Sequence, residues 1–407
     1  MEKKPIVALL GTLDTKGEEY AFLRECLYKQ NVDTLLIDAG VMEPPGVDPD
    51  VGRDEVAKAA GTSIDAILKQ EDRGKAVAAM ASGAKELISR LYAEGSFDGI
   101  MGMGGSGGSA IISAAMRALP IGVPKLLVST LASGDTRPYV GTSDICMMYS
   151  VVDISGINRI SSAILRNAAA SIAGMVKAPR KEEGPGEKPI IGATMFGVTT
   201  PCLTHAREKL EGLGYEVLVF HAVGVGGQAL ENLIRSGYIS AVLDATTTEL
   251  ADEVAGGTLS AGPDRLEAAG EAGIPQVVSL GAVDMANFGP AATVPEKFKD
   301  RKFHIHNETV TLMRTTPEEN AKIGKIIAEK LNAAKGKTAL FIPLKGVSAI
   351  DVEGGVFYDK EADEALFSAL RDNLDTEKVE LTEMACDVNA PEFAEAMAAK
   401  LDEFYRK

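Results

Sequence analysis

The sequence predicts an α/β protein with two Rossmann-like domains, whose parallel sheets we expect to face one another across a cleft. Apolar runs of strand length alternate with helical patterns along the chain, which is typical of a parallel sheet covered by helices. The 407 residues exceed one ordinary hydrophobic core. The charged stretch at 178–189 contains three prolines and two glycines, and it separates two segments with the same alternation.

Each half has its own predicted strands, and each strand is followed by a glycine or polar turn and then a helical pattern. The first half contains PIVALLGT, DTLLIDAG, FDGIMGMG and KLLVSTLA. The second half contains PIIGATMFG, YEVLVFHAVG, ISAVLDAT, IPQVVSLGA and KTALFIPLKG. We therefore predict an N-terminal nucleotide-binding domain over residues 1–180 and a C-terminal domain over residues 188–407, with a C-terminal helix able to pack back on the first domain.

The two halves also resemble each other locally. Residues 11–27 and 192–210 both give a strand, a Gly/Thr loop and an amphipathic helix, and the glycine loop within 223–234 matches that within 101–112. Ligands of open parallel sheets bind beyond the carboxyl ends of the strands. We therefore expect loops of both halves to contribute to one cleft.

Composition excludes several classes of protein. A net charge of −16 argues against nucleic-acid binding, which depends on clustered Lys and Arg. The four cysteines are scattered without metal-ligand spacing, which is typical of reduced thiols in the cytoplasm. Neither a signal-peptide pattern nor an apolar run of membrane-spanning length occurs. The sequence therefore predicts a cytoplasmic protein that binds neither nucleic acid nor membrane.

The most informative motif is the glycine-rich loop FDGIMGMGGSGGSA at 97–110, which joins a predicted strand to a predicted helix. Glycines let a backbone turn tightly, and helix N-terminal amides attract anions. The spacing fits the dinucleotide fingerprint, but the next strand-like run carries no acid, which weakens a nicotinamide interpretation. The alternative is a loop that only allows close packing. The predicted phosphate-binding residues are Gly102, Gly104, Gly105, Ser106, Gly107, Gly108 and Ser109.

Two further loops of the first half carry candidate ligand groups. GTLDTKG offers Gly11, Thr12, Asp14 and Lys16, a combination suited to a Mg²⁺-bound polyphosphate, although Asp14 or Thr15 alone would also make an ordinary helix cap.

The long polar segment 129–160 is the second of these loops. In it, Thr130, Gly134 and Arg137 are predicted to bind the nucleotide, and Asp135 to hold Mg²⁺ with Asp14 or to accept a proton. A network of caps and salt bridges is the alternative for each of these residues.

The second half offers His304, His306 and Arg314 as candidate catalytic residues beside Asp135. Under the two-residue period of a strand, the histidines share one face, where they suit a phosphoryl oxygen better than zinc because no third ligand follows. Arg314 is predicted to contact an acidic substrate, with a surface salt bridge as the alternative.

Strings along nearly the whole chain, among them GTLDTKGEEY, GMGGSGGSA, GVGGQA, SAGPDRL, VDMANFG and HNETVTLMRTT, resemble the Tm-1-like family, also called UPF0261. The chain looks like the family's stand-alone microbial form, since the plant resistance protein continues into a TIM-barrel-like domain. The resemblance implies two Rossmann-like domains, ATP or a related nucleotide in the cleft, and a homodimer. The plant relative's inhibition of tobamovirus replication is not expected of a free-standing microbial chain.

These observations lead to one expectation and two alternatives. We expect a cytosolic protein that binds ATP with Mg²⁺ and acts on a small acidic metabolite by phosphoryl or nucleotidyl transfer. One alternative is a nucleotide-dependent binding module without turnover. The other is an enzyme that uses a sugar nucleotide or a nicotinamide cofactor.

Overall fold

The computed structural model of the protein describes residues 4–178 and 188–407. They belong to two compact units, Met1–Glu182 and Glu183–Lys407. Each unit contains a parallel sheet with helices on both faces, so the predicted α/β class with two Rossmann-like sheets is confirmed. Most of the predicted linker, residues 179–187, lies outside the described residues. Within the described ranges, no helix combines the length and apolarity needed to cross a membrane.

In the first unit, the five parallel strands have the order β2-β1-β3-β4-β5. The strands are β1 (Ile6–Gly11), β2 (Asp33–Asp38), β3 (Gly99–Gly104), β4 (Lys125–Ser129) and β5 (Cys146–Tyr149). The helices are α1 (Leu13–Lys29), α2 (Arg53–Ala59), α3 (Ile64–Leu68), α4 (Arg73–Ala93), α5 (Ser106–Arg117), α6 (Arg137–Val140) and α7 (Arg159–Lys177).

Alternation along these strands builds two cores, one on each face of the sheet. Leu9 and Met101 are fully buried on the face covered by α1 and α7. Leu10 and Ile100 are fully buried on the opposite face, where α2 to α5 pack. The runs are therefore apolar on both faces, which explains why they read as continuous hydrophobic segments in the sequence.

The strand order reverses between β1 and β3, because β1 pairs with β2 on one side and with β3 on the other. Ligands of open α/β sheets bind beyond the carboxyl ends of strands at such a point. The loop after β1 leads into α1, and the loop after β3 leads into α5. Both predicted phosphate motifs of the first half therefore lie at this position.

The second unit repeats this topology with one more strand, in the order β14-β13-β9-β8-β6-β7. Its parallel strands are β6 (Ile190–Met195), β7 (Glu216–His221), β8 (Ala241–Thr246), β9 (Gln276–Gly281), β13 (Thr338–Pro343) and β14 (Val379–Met384). Its helices are α8 (Thr200–Gly212), α9 (Val225–Arg235), α10 (Thr248–Ala255), α11 (Ala268–Ala272), α12 (Pro317–Asn332), α13 (Lys360–Asn373) and α14 (Pro391–Arg406).

Counted within each unit, both sheets place their first five parallel strands in the order 2-1-3-4-5. This supports the predicted relation between the halves, but one local correspondence is wrong. The glycine loop at Gly224 follows the second strand of its unit, β7, whereas the loop at Gly105 follows the third, β3. The topological counterpart of the first glycine loop is Thr247, between β8 and α10.

An antiparallel sheet of order β10-β12-β11 is inserted between β9 and α12. Its strands are β10 (Met285–Phe288), β11 (Phe303–Asn307) and β12 (Val310–Arg314). The C-terminal helix α14 buries Phe393, Met397 and Leu401 in a core shared with α8 and the parallel sheet. Its apolar face is therefore used within the second unit.

Candidate functional site

The glycine-rich loop presents the N-terminus of α5 at the carboxyl edge of the first sheet. Gly105 is the N-cap residue and, as a glycine, has no side chain with which to cap this helix. The amide of Ser109 donates to the Gly105 carbonyl at 2.8 Å, which closes the first turn. Ser106 is exposed, and Gly105, Gly107 and Gly108 are partly exposed. The first amides of α5 are thus accessible to an anion, as predicted for a phosphate loop.

Two glycines of the loop are explained by packing. A Cβ on Gly102 would lie 2.6 Å from the Leu10 carbonyl oxygen, and one on Gly104 would lie 2.9 Å from the Gly108 Cα. The strand and helix therefore approach too closely for a side chain at either position.

Gly105, Gly107 and Gly108 are not explained by packing. A Cβ on Gly105, Gly107 or Gly108 would lie 3.8, 3.5 or 3.7 Å from its nearest neighbour, which is an ordinary van der Waals distance. None of the loop's glycines has a positive φ, so the left-handed turn that glycine usually permits is not used here. Glycine at these three positions keeps open the space above the helix N-terminus.

Hydroxyl groups fix the neighbouring end of β4. Ser109 and Ser129 are buried and share a hydrogen bond of 2.8 Å, and the Ser109 hydroxyl also donates to the Gly104 carbonyl at 3.2 Å. The Thr130 amide donates to the same carbonyl at 3.3 Å. The Thr130 hydroxyl is the group nearest to the space above Gly105. Of the predicted residues, Thr130 therefore lies next to the glycine loop. Ser109 is buried and stabilises the loop through its hydrogen bonds to the Gly104 carbonyl and to Ser129.

The GTLDTKG loop lies beside this site, but its side chains bind other parts of the first unit. One carboxylate oxygen of Asp14 accepts the amides of Val41 at 3.0 Å and Met42 at 2.9 Å. The Lys16 ammonium donates to the Ile154 carbonyl. In the structure, Asp14 and Lys16 therefore bind backbone groups of other loops. The sequence had suggested that they bind a polyphosphate.

Gly11 and Thr12 also have local explanations. A Cβ on Gly11 would lie 2.1 Å from the ring of Tyr20, so this glycine makes room for a tyrosine. The Tyr20 hydroxyl donates to the Leu10 carbonyl at 2.5 Å and accepts the Met103 amide at 2.8 Å, which joins β1 to β3 where their pairing ends. Burial raises the pKa of Tyr20 well above its usual range. The Thr12 hydroxyl contacts that of Thr15 at 3.1 Å.

The end of β2 supplies a carboxylate that the sequence analysis did not select. Asp38 is fully buried, and its Oδ1 accepts the amides of Leu13 at 3.0 Å and Gly40 at 2.8 Å. Asp38 therefore occupies the anion-binding position at the N-terminus of α1. Burial raises the pKa of Asp38. The signal was present in the sequence, because Asp38 follows the apolar part of the predicted strand DTLLIDAG.

Asp135 and Arg137 form an exposed ion pair with each other. The guanidinium donates from Nε at 2.9 Å and from Nη2 at 2.8 Å to the two carboxylate oxygens. This pairing lowers the pKa of Asp135. Gly134 precedes the pair in an exposed turn. The alternative considered from sequence, a local salt bridge, describes this pair.

The predicted magnesium ligands do not form a conventional metal centre. No group of three or more His, Cys, Asp or Glu side chains suited to a metal occurs in residues 4–178 and 188–407. Asp14 has one carboxylate oxygen bound to amides, while the other is buried without a partner in the described part of the chain. Asp135 binds Arg137. A magnesium ion would therefore depend on phosphate oxygens for most of its ligands.

The two histidines lie on β11, at the edge of the inserted antiparallel sheet. His304 is partly buried, with its ring 6.3 Å from that of Phe357, and His306 is exposed. The register between β11 and β12 shifts between Ile305 and Asn307. This irregularity interrupts the simple alternation on which the predicted shared face of His304 and His306 depended.

Arg314, predicted to contact an anion, is buried at the end of β12 among groups of its own unit. Its Nη2 donates to Asp363 at 2.7 Å and to Asp351 at 3.2 Å, and its Nε donates to the Phe357 carbonyl at 2.7 Å. Burial raises the pKa of Asp351, and the charge of nearby Asp284 raises it further. This is a buried ion-pair cluster, so the structure does not present Arg314 to a ligand.

The second glycine loop differs from the first in that its helix N-terminus is already occupied. The Glu249 carboxylate accepts the amides of Gly224 at 2.7 Å and Gly227 at 3.0 Å, at the start of α9. Its other oxygen accepts Nε of Arg265 at 2.6 Å, and this guanidinium also binds Asp244 through two donors. The GVGGQA and SAGPDRL motifs therefore meet in one buried network.

A groove of about 660 Å³ in the second unit is formed by α10, α11, α12 and the loop before α11. It is lined by several charged side chains, including Glu253, Glu267, Lys322 and Lys330. Lys330 is paired with Glu267. None of the predicted site residues contributes to this groove.

Comparison with known proteins covers both units. The model for the N-terminal domain of the uncharacterised protein family UPF0261 matches residues 5–181, and that for its C-terminal domain matches residues 188–405. A UPF0261 protein of Clostridium tetani is 59% identical over 401 residues, which cover 98% of each chain. A UPF0261 protein of Rhizobium meliloti is 47% identical over 97% of each chain.

A plant protein and a solved structure are also similar. The ToMV susceptible protein tm-1 of Solanum lycopersicum is 42% identical over 413 residues, which cover 97% of this chain and 55% of the plant protein. The structure of a putative UDP-N-acetylglucosamine 2-epimerase from Listeria monocytogenes has 12% identity, with 97% of this chain and 94% of that chain covered and a TM-score of 0.26. A likeness this weak supports no conclusion about function.

Proposed function

The chain belongs to the uncharacterised protein family UPF0261, and we propose that its first unit binds ATP, carried with Mg²⁺, through phosphate contacts at the N-terminus of α5. The amides of Gly107 and Gly108 and the hydroxyls of Ser106 and Thr130 would hold the phosphates. With a chain charge of −16, the attraction has to be local, and helix N-terminal amides provide such a local field.

One observation carries this proposal, namely the contrast between three helices that follow motif loops. The N-terminus of α1 binds the Asp38 carboxylate, and that of α9 binds the Glu249 carboxylate. The N-cap of α5 is a glycine, and among the described residues no carboxylate accepts the first amides of this helix, although it begins at the point where the strand order reverses. A bound anion would accept the amides of α5, as the carboxylates of Asp38 and Glu249 accept those of α1 and α9.

Magnesium would bridge phosphate oxygens and neutralise part of their charge. Asp14 could approach the ion only through its second carboxylate oxygen, which has no partner in the described residues. Arg137 could contact a phosphate by leaving Asp135, an exchange that its exposed position permits. We further propose phosphoryl or nucleotidyl transfer to a small acidic metabolite as the reaction, and a homodimer as the working form.

Binding is tested by isothermal titration calorimetry of ATP with Mg²⁺ against the full chain. Gly105→Val fills the open space while keeping a backbone conformation that valine accepts (φ −79°, ψ −158°), so ATP affinity is expected to fall at least tenfold with the fold intact. Gly52→Val is the matched control, since Gly52 is also an N-cap glycine in extended conformation with no atom within 4 Å of its Cβ position. Equal ATP affinity in both variants would contradict the phosphate site.

Turnover is tested by incubating the protein with ATP, Mg²⁺ and a mixture of small carboxylic acids. Formation of a phosphorylated or adenylylated acid, with release of ADP or pyrophosphate, would support the transfer reaction. Stoichiometric binding of ATP without product would support the alternative of a nucleotide-dependent binding module.

A further inference from the structure

The residues that follow β5 combine a strained backbone with exposed apolar side chains. Val151 has φ +61°, in the left-handed region that a β-branched residue rarely adopts. The Val152 amide donates to the Ser150 carbonyl at 2.7 Å, which closes a three-residue turn around Val151. Val151 is 58% exposed and Tyr149 is 41% exposed. Burial in the hydrophobic core therefore does not explain why an apolar side chain occupies either position.

The surrounding structure fixes this turn in place. The Ser150 amide donates to the Ser129 carbonyl at 3.2 Å, and the Ser150 hydroxyl donates to the Val152 carbonyl at 2.7 Å. Further along, the Lys16 ammonium binds the Ile154 carbonyl, and the buried Glu19 carboxylate accepts the Gly156 amide at 2.6 Å. Side chains of the GTLDTKGEE motif therefore hold the segment that displays Tyr149 and Val151.

The segment lies at the same edge of the sheet as the glycine loop. Tyr149 pairs with Ser129 at the carboxyl end of β4, and β4 is the neighbour of β3. Met147 packs in the core to which α5 contributes, while Met148 packs in the opposite core. By the alternation of a strand, Tyr149 shares the face of Met147 and therefore the side of the sheet on which α5 lies.

We propose that Tyr149 and Val151 form the contact surface for the base of a nucleotide whose phosphates lie at the N-terminus of α5. The inference rests on the proposed function and names the part of the ligand that this segment recognises. Two strand spacings separate β3 from β5, or about 10 Å, so the sugar would cross the end of β4 beside Thr130. Stacking on an aromatic ring and an apolar contact suit a flat heterocycle.

The opposite direction from β3 is less open to a base. There, Asp38 binds the amides of Leu13 and Gly40, and Asp14 binds those of Val41 and Met42. These contacts tie the loops after β1 and β2 to each other. On the β5 side of β3, the turn at Val151 offers an apolar contact that hydrogen bonds already hold in place. A contact that is rigid before binding loses less entropy when the ligand binds.

The experiment compares ATP with inorganic tripolyphosphate, both with Mg²⁺, by calorimetry on the full chain. Tyr149→Ala is expected to weaken ATP binding about tenfold while tripolyphosphate affinity stays unchanged, because only ATP has a base. Val151→Gly is expected to weaken ATP binding severalfold and to raise the melting temperature, because glycine accepts the positive φ. Tyr28→Ala is the control, an exposed tyrosine at the C-terminal end of α1.

Each outcome bears on one claim. Absence of tripolyphosphate binding to the unaltered chain would contradict the proposed function itself. Tripolyphosphate binding together with unchanged ATP affinity in Tyr149→Ala would overturn the base contact and leave the phosphate site standing. A Tyr149→Ala variant with unchanged ATP affinity and altered mass in light scattering would overturn it in favour of an interface between copies of the chain.

Discussion

Glu249 and Gly227 are in direct contact at the start of α9, where a carboxylate oxygen accepts the glycine amide at 3.0 Å. A Cβ on Gly227 would lie 2.1 Å from the other carboxylate oxygen and 2.7 Å from Nε of Arg265. This glycine is therefore required because an internal anion fills the space above it. At Gly107 in α5, the nearest atom to a Cβ would be a Val77 methyl carbon at 3.5 Å.

The first prediction follows from this contrast. Gly227→Ala is expected to lower the free energy of unfolding by about 3 kcal/mol, because the methyl group would displace a buried carboxylate from its guanidinium partner. Gly107→Ala is the matched change, also near a helix N-terminus, and is expected to leave stability nearly unchanged. Urea denaturation of both variants measures the difference. Similar losses in the two variants would contradict the proposed difference between the loops.

The second prediction concerns Arg265, which is fully buried between Asp244 and Glu249. Arg265→Met keeps much of the side-chain volume but leaves buried carboxylates without their cation, so the free energy of unfolding is expected to fall by about 4 kcal/mol. Arg137→Met removes an exposed ion pair and should change stability little. A near-neutral Arg265→Met would show that the carboxylates bind protons instead of needing the arginine.

The fold was largely predictable because apolar strands alternate with helices, but the inserted antiparallel sheet and one edge strand of each parallel sheet were missed. β5, Cys146–Tyr149, has two exposed and two partly exposed residues and lies inside a polar segment. β14, Val379–Met384, lies at the other sheet's edge and mixes apolar with polar side chains, with Val379 as its one buried residue. Both are short or half exposed, so their sequences lack the continuous apolar signal of the central strands.

The site was less predictable, because a polar residue's partner depends on loops distant in sequence. Lys16 stands beside Asp14 in the chain, yet it binds the carbonyl of Ile154. The sequence around Arg314 predicted an exposed side chain. In the structure Arg314 is buried and pairs with Asp351 and Asp363, which lie later in the chain. The phosphate-binding role of the glycine loop stays a prediction, but the loop's accessible helix N-terminus could be predicted because consecutive backbone amides need no distant partner.

The third prediction tests the tyrosine that joins β1 to β3. Tyr20→Phe keeps the ring that packs against Gly11 but removes the hydroxyl bonded to the Leu10 carbonyl and the Met103 amide. Two buried backbone groups would lose a partner, so we expect a loss of about 2 kcal/mol in the free energy of unfolding. Hydrogen exchange at the Met103 amide should accelerate in the variant. An unchanged exchange rate would indicate that another group satisfies this amide.

The last prediction concerns pH and Asp252, a buried carboxylate in α10. Its oxygens accept the amides of Leu259 and Asn287 and the side-chain amide of Asn287. Burial nevertheless raises the pKa of Asp252 to about 7, and the negative charge of Glu249 adds to this. Between pH 4 and 7 the folded chain therefore holds a proton at this position that the unfolded chain has released.

The contribution of Asp252 to stability is fully present below pH 4 and is lost as pH rises through 7, by about 1.4 kcal/mol per pH unit. Asp252→Asn removes this titration, and its new donor can pair with the Asn287 amide oxygen, which lacks a partner in the described residues. In urea denaturation from pH 4 to 7, the stability of the variant relative to the unaltered chain should rise with pH. Parallel curves would mean that Asp252 is ionised in the folded protein throughout this range, held by its three amide donors against the cost of burial.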